Sequence, residues 1–238
     1  MSTSLHPMRG HAAAVRAAGD GARAMAPWLV GVAPLGFVIG VTAARSDIAT
    51  FAGWLTGPLI FAGSAQAVTL QLLGAHAPVF VVITAGLAVN LRLVLYSAAV
   101  AGHWRSRPTW WKALAASTLV DPSAVVALEG YERSEDPAYG HAHYVGGAIT
   151  LAIAWLLSIT LGATFGGALP PGLRLELVIP LYLLGQLLRR VNDAVARRAV
   201  YVAVTLALIG ATVPLHLGVL IAIAGGTLVA VATTERSR

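Results

Sequence analysis

Two lone charged residues, Arg92 and Asp121, have the side-chain types and positions in this sequence that could do chemistry. Arg92 is the only Lys, Arg, Asp or Glu in residues 51–101, and Asp121 is the only one in residues 113–128. An arginine at mid-membrane depth costs about 2.5–3.5 kcal/mol on insertion scales, so it must face protein, a partner or water. Pairing with Arg92 would keep the Asp121 carboxylate ionised. Two hypotheses stay open: a structural clamp between helices, or groups that contact a substrate or an exchanged proton.

The stretch Phe61-Ala62-Gly63-Ser64-Ala65-Gln66 is a second candidate for binding chemistry. It follows Gly57-Pro58, a pair that interrupts helices. A helix that restarts inside a membrane presents free N–H groups and a positive dipole end to an anion, and Gln66 would add an amide. The alternative is that the small residues only permit close helix packing.

Enzyme and metal motifs are nearly absent from the sequence. His141 and His143 are two residues apart, a spacing that does not share a helical face, and no third metal ligand accompanies them. We expect them to lie in loops, together with His76 and His103. The sequence therefore predicts no metal, no cofactor and no enzymatic activity, although an intramembrane hydrolase with a serine nucleophile is a minor alternative.

The composition indicates which protein class must position these residues. The chain is 57% hydrophobic and only 11% charged, against roughly 45–50% and 25% in a soluble domain. Its net charge of +6 comes from short basic clusters between apolar runs, a pattern typical of membrane topology signals rather than of nucleic-acid binding. The sequence therefore predicts a polytopic membrane protein.

Charges and Pro/Gly breaks divide the chain into apolar segments, and all of them are predicted to be helical, because only helices and closed barrels satisfy the backbone in lipid. The fold class is therefore all-α, with about six to eight apolar segments, two of them broken or re-entrant. The run from Ala199 to Thr234 is too long for one crossing, so a hairpin near Pro214 is predicted. The predicted segments are about 27–45, 48–75, 77–101, 110–128, 143–168, 175–188, 198–213 and 214–232.

Basic clusters predict which connections share a side of the membrane. One cluster holds Arg105, Arg107 and Lys112, and a second holds Arg189, Arg190, Asp193, Arg197 and Arg198. The positive-inside rule places both in the cytosol with the N-terminus. Three apolar segments lie between the N-terminal residues and the first cluster, and three more lie between the two clusters. An odd number of crossings would place one cluster outside, so one segment of each three must enter the membrane and return without crossing it. Segments 48–75 and 110–128 are the candidates, which gives six full crossings; seven or eight ordinary crossings are the alternative.

The first 26 residues carry three arginines on an Ala-rich background. They predict a cytosolic N-terminal tail over residues 1–26, either solvated or lying as an amphipathic helix on the membrane surface. Residues 27–234 are then predicted to form a single transmembrane domain.

Several motifs together resemble the AzlC-type branched-chain amino acid permeases. They are Pro34-Leu35-Gly36-Phe37, the stretch from Phe61 to Gln66, Asn90-Leu91-Arg92 with Leu95-Tyr96, and Asp121. The resemblance implies a bacterial cytoplasmic-membrane exporter of branched-chain amino acids that works with a small hydrophobic AzlD-type subunit. This chain departs from the family pattern at two positions: Leu93 stands where relatives have His, and Pro122 stands where they have an acidic residue. A proton-handling role of that His and that acid is therefore not transferred to this chain.

These observations lead to one functional hypothesis with two alternatives. The chain is predicted to be a secondary transporter subunit that exports branched-chain or similar small apolar amino acids, with the alkyl side chain among Phe61, Leu70 and their neighbours. The alternatives are a non-transporting scaffold or assembly subunit, and a transporter of a different small solute. The predicted substrate-binding residues are Gly63, Ser64, Gln66, Asn90, Arg92 and Asp121.

Overall fold

The computed structural model describes residues 6–45, 50–170, 184, 194–210 and 217–235, and the secondary structure within these ranges is helical. The all-α prediction is therefore confirmed. In chain order the elements are α1 (His6–Arg45), α2 (Thr50–Ile60), α3 (Gly63–Gly74), α4 (Val79–Asn90), α5 (Arg92–Trp104), α6 (Thr109–Ser117), α7 (Asp121–Arg133), α8 (Pro137–Phe165), a 3-10 turn (Gly166–Ala168), α9 (Ala194–Gly210) and α10 (Leu217–Glu235).

Three helical stretches among the described residues are long and apolar enough to cross a membrane: His11–Arg45, Val79–Trp104 and Pro137–Ala168. The second joins α4 and α5, which are interrupted only at Leu91, a residue that keeps helical φ and ψ of −54° and −29°. The predicted number of crossings stays a prediction, and the predicted segment 175–188 lies outside the described residues apart from Leu184.

The charge-free run at the C-terminus contains two helices, α9 and α10, as predicted, and they pack against each other. A Cβ on Gly225 would lie 2.1 Å from the Leu206 side chain. The turn predicted near Pro214 lies outside the described residues, as do Arg189, Arg190 and Asp193 of the second basic cluster.

Helices α1 and α8 run parallel and form the centre of the molecule. Glycines allow the two backbones to touch: a Cβ on Gly40 would lie 2.2 Å from the carbonyl oxygen of Ile159, and one on Gly162 would lie 2.0 Å from that of Phe37. At the C-terminal end of the pair, Arg45 donates hydrogen bonds of 3.1 and 2.9 Å to two backbone carbonyls that follow α8. Small residues thus give this contact, as in other close membrane helix pairs.

The predicted tail does not form a separate element. Helix α1 is continuous from His6 through Pro27 to Arg45, and Ala17 and Met25 are fully buried. A Cβ on Gly21 would lie 1.8 Å from the carbonyl oxygen of His143 in α8. One face of residues 17–25 therefore packs on α8, while residues 11–16 are exposed. The interpretation of residues 1–26 as a cytosolic tail stays a prediction.

Both segments predicted to be broken reverse direction. Gly53 lies beside Ala43 near the end of α1, and Gln66 of α3 returns to donate a 2.7 Å hydrogen bond to Thr56 of α2. One continuous helix would hold residues 56 and 66 about 15 Å apart. Helices α2 and α3 are therefore a hairpin whose tip, residues 61–63, lies beside Leu35 of α1.

The second hairpin, α6 and α7, enters from the opposite end. Trp111 at the start of α6 and Tyr131 near the end of α7 both contact Trp104, through a ring contact at 5.4 Å and a 2.8 Å hydrogen bond. Between them the chain turns at residues 118–120, where Thr118 and Tyr144 are joined by a 2.9 Å hydrogen bond. The N-terminal part of α1, the first basic loop and the start of α8 share this end of the molecule, since Tyr139 donates to Asp20 at 3.2 Å.

Candidate functional site

The tips of the two hairpins meet at a cavity of about 80 Å³ between α1 and α8. One water molecule needs roughly 10–15 Å³ of such space, so the cavity is large enough for a small solute. Three of the interruptions between the described helices, at residues 61–62, 91 and 118–120, adjoin residues that line it. The lining residues are Val32, Leu35, Phe61, Ala62, Gly63, Ser64, Arg92, Val120, Asp121, Pro122, Leu151 and Trp155.

An ion pair between Arg92 and Asp121 forms the polar side of the cavity. Arg92 Nη1 lies 2.9 Å from Asp121 Oδ2, and the two side chains are 31% and 16% exposed. Arg92 Nη2 also donates to Ser64 Oγ at 2.5 Å, and the Tyr96 hydroxyl donates to Asp121 Oδ1. The pair predicted from two lone charges is therefore formed, and it links α5 to both hairpin tips.

Two helices begin at the cavity, α3 at Gly63 and α7 at Asp121. The residue before α3, Ala62, is extended and makes no side-chain capping bond. The turn before α7 is held by Ser123, whose Oγ accepts from the Val120 N–H at 2.8 Å and donates to the Thr118 carbonyl at 2.6 Å. Because the first N–H groups of a helix have no intrahelical acceptor, both tips direct positive dipole ends toward the cavity.

Two buried donors in cavity-lining residues have no hydrogen-bond partner among the described residues. They are Nε of Arg92 and Nε1 of Trp155, and Trp155 as a whole is only 5% exposed. A buried N–H without an acceptor costs about 1–3 kcal/mol. Together with the two helix starts, these donors make the cavity suited to an anionic oxygen.

The backbone is strained at the tip of the first hairpin. Phe61 has a φ of +41°, in the left-handed region that glycine normally occupies after a helix. Its ring lines the cavity. Such strain, of order 1–3 kcal/mol, is typical of functional sites.

The structure brings together four of the six predicted site residues: Gly63, Ser64, Arg92 and Asp121 line the cavity. Gln66 and Asn90 do not line it. Gln66 is fully buried against Thr56 of α2, and the buried side-chain oxygen of Asn90 has no partner among the described residues. A substrate-binding role for these two residues stays a prediction.

The apolar wall differs from the one predicted. Phe61 lines the cavity, whereas Leu70 is 2% exposed in the core beside α1 and does not. Its place is taken by Val32 and Leu35 of α1 and by Leu151 of α8. Sequence reasoning also missed Trp155 and the hydroxyl of Tyr96, although Tyr96 lies four residues after Arg92 on the same helical face.

The histidines are placed differently from the prediction that put them in loops. Only His76 lies in a turn; His103 lies in α5, and His141 and His143 lie in α8. His143 is fully buried. Within the described residues, no three His, Asp or Glu side chains are grouped as metal ligands.

Comparison with known proteins identifies the family. The family profile described as AzlC protein matches residues 27–169, more than half of the chain, and this range contains every residue that lines the cavity. The comparisons with curated proteins and with solved structures give no match. The three long apolar helices and this match, in a family associated with branched-chain amino acid transport, make the protein a transport-related membrane protein. The chain belongs to the AzlC family.

Proposed function

We propose that this protein is a secondary transporter subunit that exports branched-chain or similar small apolar amino acids. The observation that carries the proposal is the cavity itself, which joins a positive group, a negative group and an aliphatic wall between two hairpins that enter from opposite ends. A zwitterion with an alkyl side chain needs these three features together. Binding sites between broken helices are common in secondary transporters.

The substrate would bind by exchanging contacts with the ion pair. Its carboxylate would accept from Arg92 and Trp155 Nε1 and face the first N–H groups of α3. Its ammonium group would donate to Asp121, because a carboxylate accepts several hydrogen bonds. The alkyl chain would contact Leu35 and Leu151. Movement of each hairpin tip would then open the cavity to one side at a time.

The cellular setting is part of the same proposal. We place the protein in the bacterial cytoplasmic membrane with its N-terminus and first basic loop in the cytosol, following the positive-inside rule. A small hydrophobic AzlD-type subunit would complete the exporter.

Counterflow in proteoliposomes tests the function directly. Purified protein, alone and with its AzlD-type partner, is reconstituted with internal unlabelled leucine and exposed to labelled leucine outside. We expect labelled leucine to accumulate transiently and valine and isoleucine to compete. A panel of other small solutes with empty liposomes as control covers the alternative substrate, and failure of every branched-chain amino acid to compete would contradict the proposal.

Trp155→Phe should weaken substrate binding while preserving the fold. The phenyl ring keeps most of the packing but removes the Nε1 donor, and a hydrogen bond to a charged group contributes about 1.5–3 kcal/mol. We expect the apparent affinity for leucine to fall roughly tenfold or more. The measurement is the concentration dependence of counterflow.

The matched control is Trp54→Phe, which loses a 3.0 Å hydrogen bond to Thr160 and does not line the cavity. It should reduce thermal stability slightly and keep normal affinity. Equal affinities for the two variants would mean that the Trp155 donor does not contact the substrate.

A non-transporting scaffold is the second candidate, and one observation favours it. Arg92 and Asp121 are already joined, with further hydrogen bonds to Ser64 and Tyr96, as expected for a clamp between helices. In that case the pair would serve packing alone, and its polarity could be reversed without loss of activity.

A further inference from the structure

Two adjoining grooves run along the surface of α8 at the end that carries the first basic loop. The upper groove, about 430 Å³, lies between residues 11–18 of α1 and residues 138–145 of α8 and is bounded by His11, Arg107 and His141. The lower groove, about 350 Å³, lies between α6 and α8 and has an almost wholly apolar lining. Trp111 and Val145 line both grooves, so the two are continuous.

The charge of the upper groove is one-sided. The Arg107 guanidinium lies 5.0 Å above the Trp111 ring, and Arg105 and Lys112 flank it in a loop without acids. Lys112 Nζ donates to the Arg105 carbonyl at 3.2 Å, which holds both near the groove. None of the described residues that line the upper groove is acidic.

The floor between the two grooves is rigid. Trp111 makes edge contacts with Trp104 at 5.4 Å and with His141 at 5.1 Å. His141 is in turn bonded to the His103 carbonyl at 3.2 Å. A groove with such a preformed floor can hold a ligand without ordering new side chains.

The dimensions match one lipid molecule. From Ala138 to Ala152 of α8 the two grooves span about 21 Å at 1.5 Å per residue. A bilayer with its headgroups is about 40–45 Å thick, so one leaflet is about the same length. Tryptophan and basic residues at one end of a helix mark the membrane interface.

We propose that the continuous groove along α8 binds an anionic phospholipid. The phosphate is held by Arg107 and His11, and one acyl chain lies in the lower groove between Leu114 and Ile149. Charge complementarity favours this occupant over a neutral lipid, because basic pockets at the helix ends recognise acidic headgroups. The apolar lower groove favours it over a free phosphate.

Native mass spectrometry and thermal-shift assays on the purified full chain test the site. Phosphatidylglycerol and phosphatidylcholine with identical acyl chains are added separately. We expect phosphatidylglycerol to bind roughly fivefold tighter. Arg107→Gln should remove this preference, whereas Arg16→Gln, an exposed cation on the same part of α1 that does not line the groove, should keep it.

The acyl-chain half of the site is tested separately. Ala152→Phe fills the lower groove and should weaken binding of both lipids roughly tenfold, whereas Ile153→Phe, on the next, exposed position, should not. The proposal would be overturned if Arg107→Gln bound the two lipids as Arg16→Gln does, and Ala152→Phe bound them as Ile153→Phe does. Full competition by glycerophosphoglycerol, which carries the headgroup without chains, or displacement of the lipid by an added membrane subunit would also overturn it.

Discussion

Replacing Arg92 by Gln or Asp121 by Asn is expected to reduce the apparent affinity for leucine in counterflow and to lower thermal stability. Each single change leaves the other charge without its 2.9 Å partner in a cavity between helices. Removing one member of a buried, hydrogen-bonded charge pair costs about 2–5 kcal/mol. Because the side chains of this pair are 31% and 16% exposed, we expect the lower end, about 2 kcal/mol. At 1.4 kcal/mol per tenfold, this predicts a loss of apparent affinity of roughly 30-fold or more.

The reversed pair, Arg92→Asp with Asp121→Arg, separates a substrate site from a clamp. Attraction between the two positions is kept, so the melting temperature in detergent should recover relative to the single variants. Counterflow should not recover, because the positive group would now lie at the start of α7 and the negative group beside Ser64, opposite to the order that the substrate requires. Transport at the wild-type rate by the reversed pair would contradict the proposed site and favour the scaffold.

A matched change elsewhere controls for the removal of an ion pair as such. Arg133 and Glu129 form a 2.5 Å pair on α7 with side chains 50% and 39% exposed. Exposed pairs contribute about 0–1 kcal/mol. Arg133→Gln should therefore change neither stability nor counterflow appreciably, and an effect equal to that of Arg92→Gln would point to a general loss of folding.

The sequence was sufficient to predict the two charges and the two chain reversals. Arg92 and Asp121 were identifiable because a membrane segment tolerates a charge only where something compensates it. The reversals were identifiable because Gly-Pro and Asp-Pro pairs interrupt helices. The actual break after α2, however, lies at Phe61-Ala62, three residues beyond Pro58, which α2 includes.

Other parts of the site could not be predicted because they depend on helix rotation and long-range contacts. Neighbouring residues of one motif need not share a surface: Ser64 lines the cavity, whereas Gln66 is bonded to Thr56 of α2. Trp155 is a lone indole in an apolar helix, and only the approach of α1 and the hairpin tips shows that it lines a cavity. The continuity of α1 depends on α8, far away in sequence, which the Ala-rich composition of the first residues does not reveal.

Gly21→Ala is expected to destabilise the protein strongly, whereas Gly19→Ala on the same turn of α1 should stabilise it slightly. A Cβ on Gly21 would lie 1.8 Å from the carbonyl oxygen of His143, while one on Gly19 would have nothing within 4 Å. Overpacking usually costs about 1–3 kcal/mol, and a contact with the backbone of α8 should reach the upper end. Gly19→Ala gains up to about 1 kcal/mol of helix propensity.

Thermal melting of the purified variants measures the difference between them. At roughly 2–4 °C per kcal/mol for a chain of this size, Gly21→Ala should melt about 6–12 °C below the wild type. Gly162→Ala should behave similarly, since its Cβ would lie 2.0 Å from the Phe37 carbonyl oxygen. Because α1 contributes Val32 and Leu35 to the cavity wall, separation of α1 from α8 should also reduce counterflow. Equal melting temperatures for Gly21→Ala and Gly19→Ala would mean that residues 11–26 do not pack on α8.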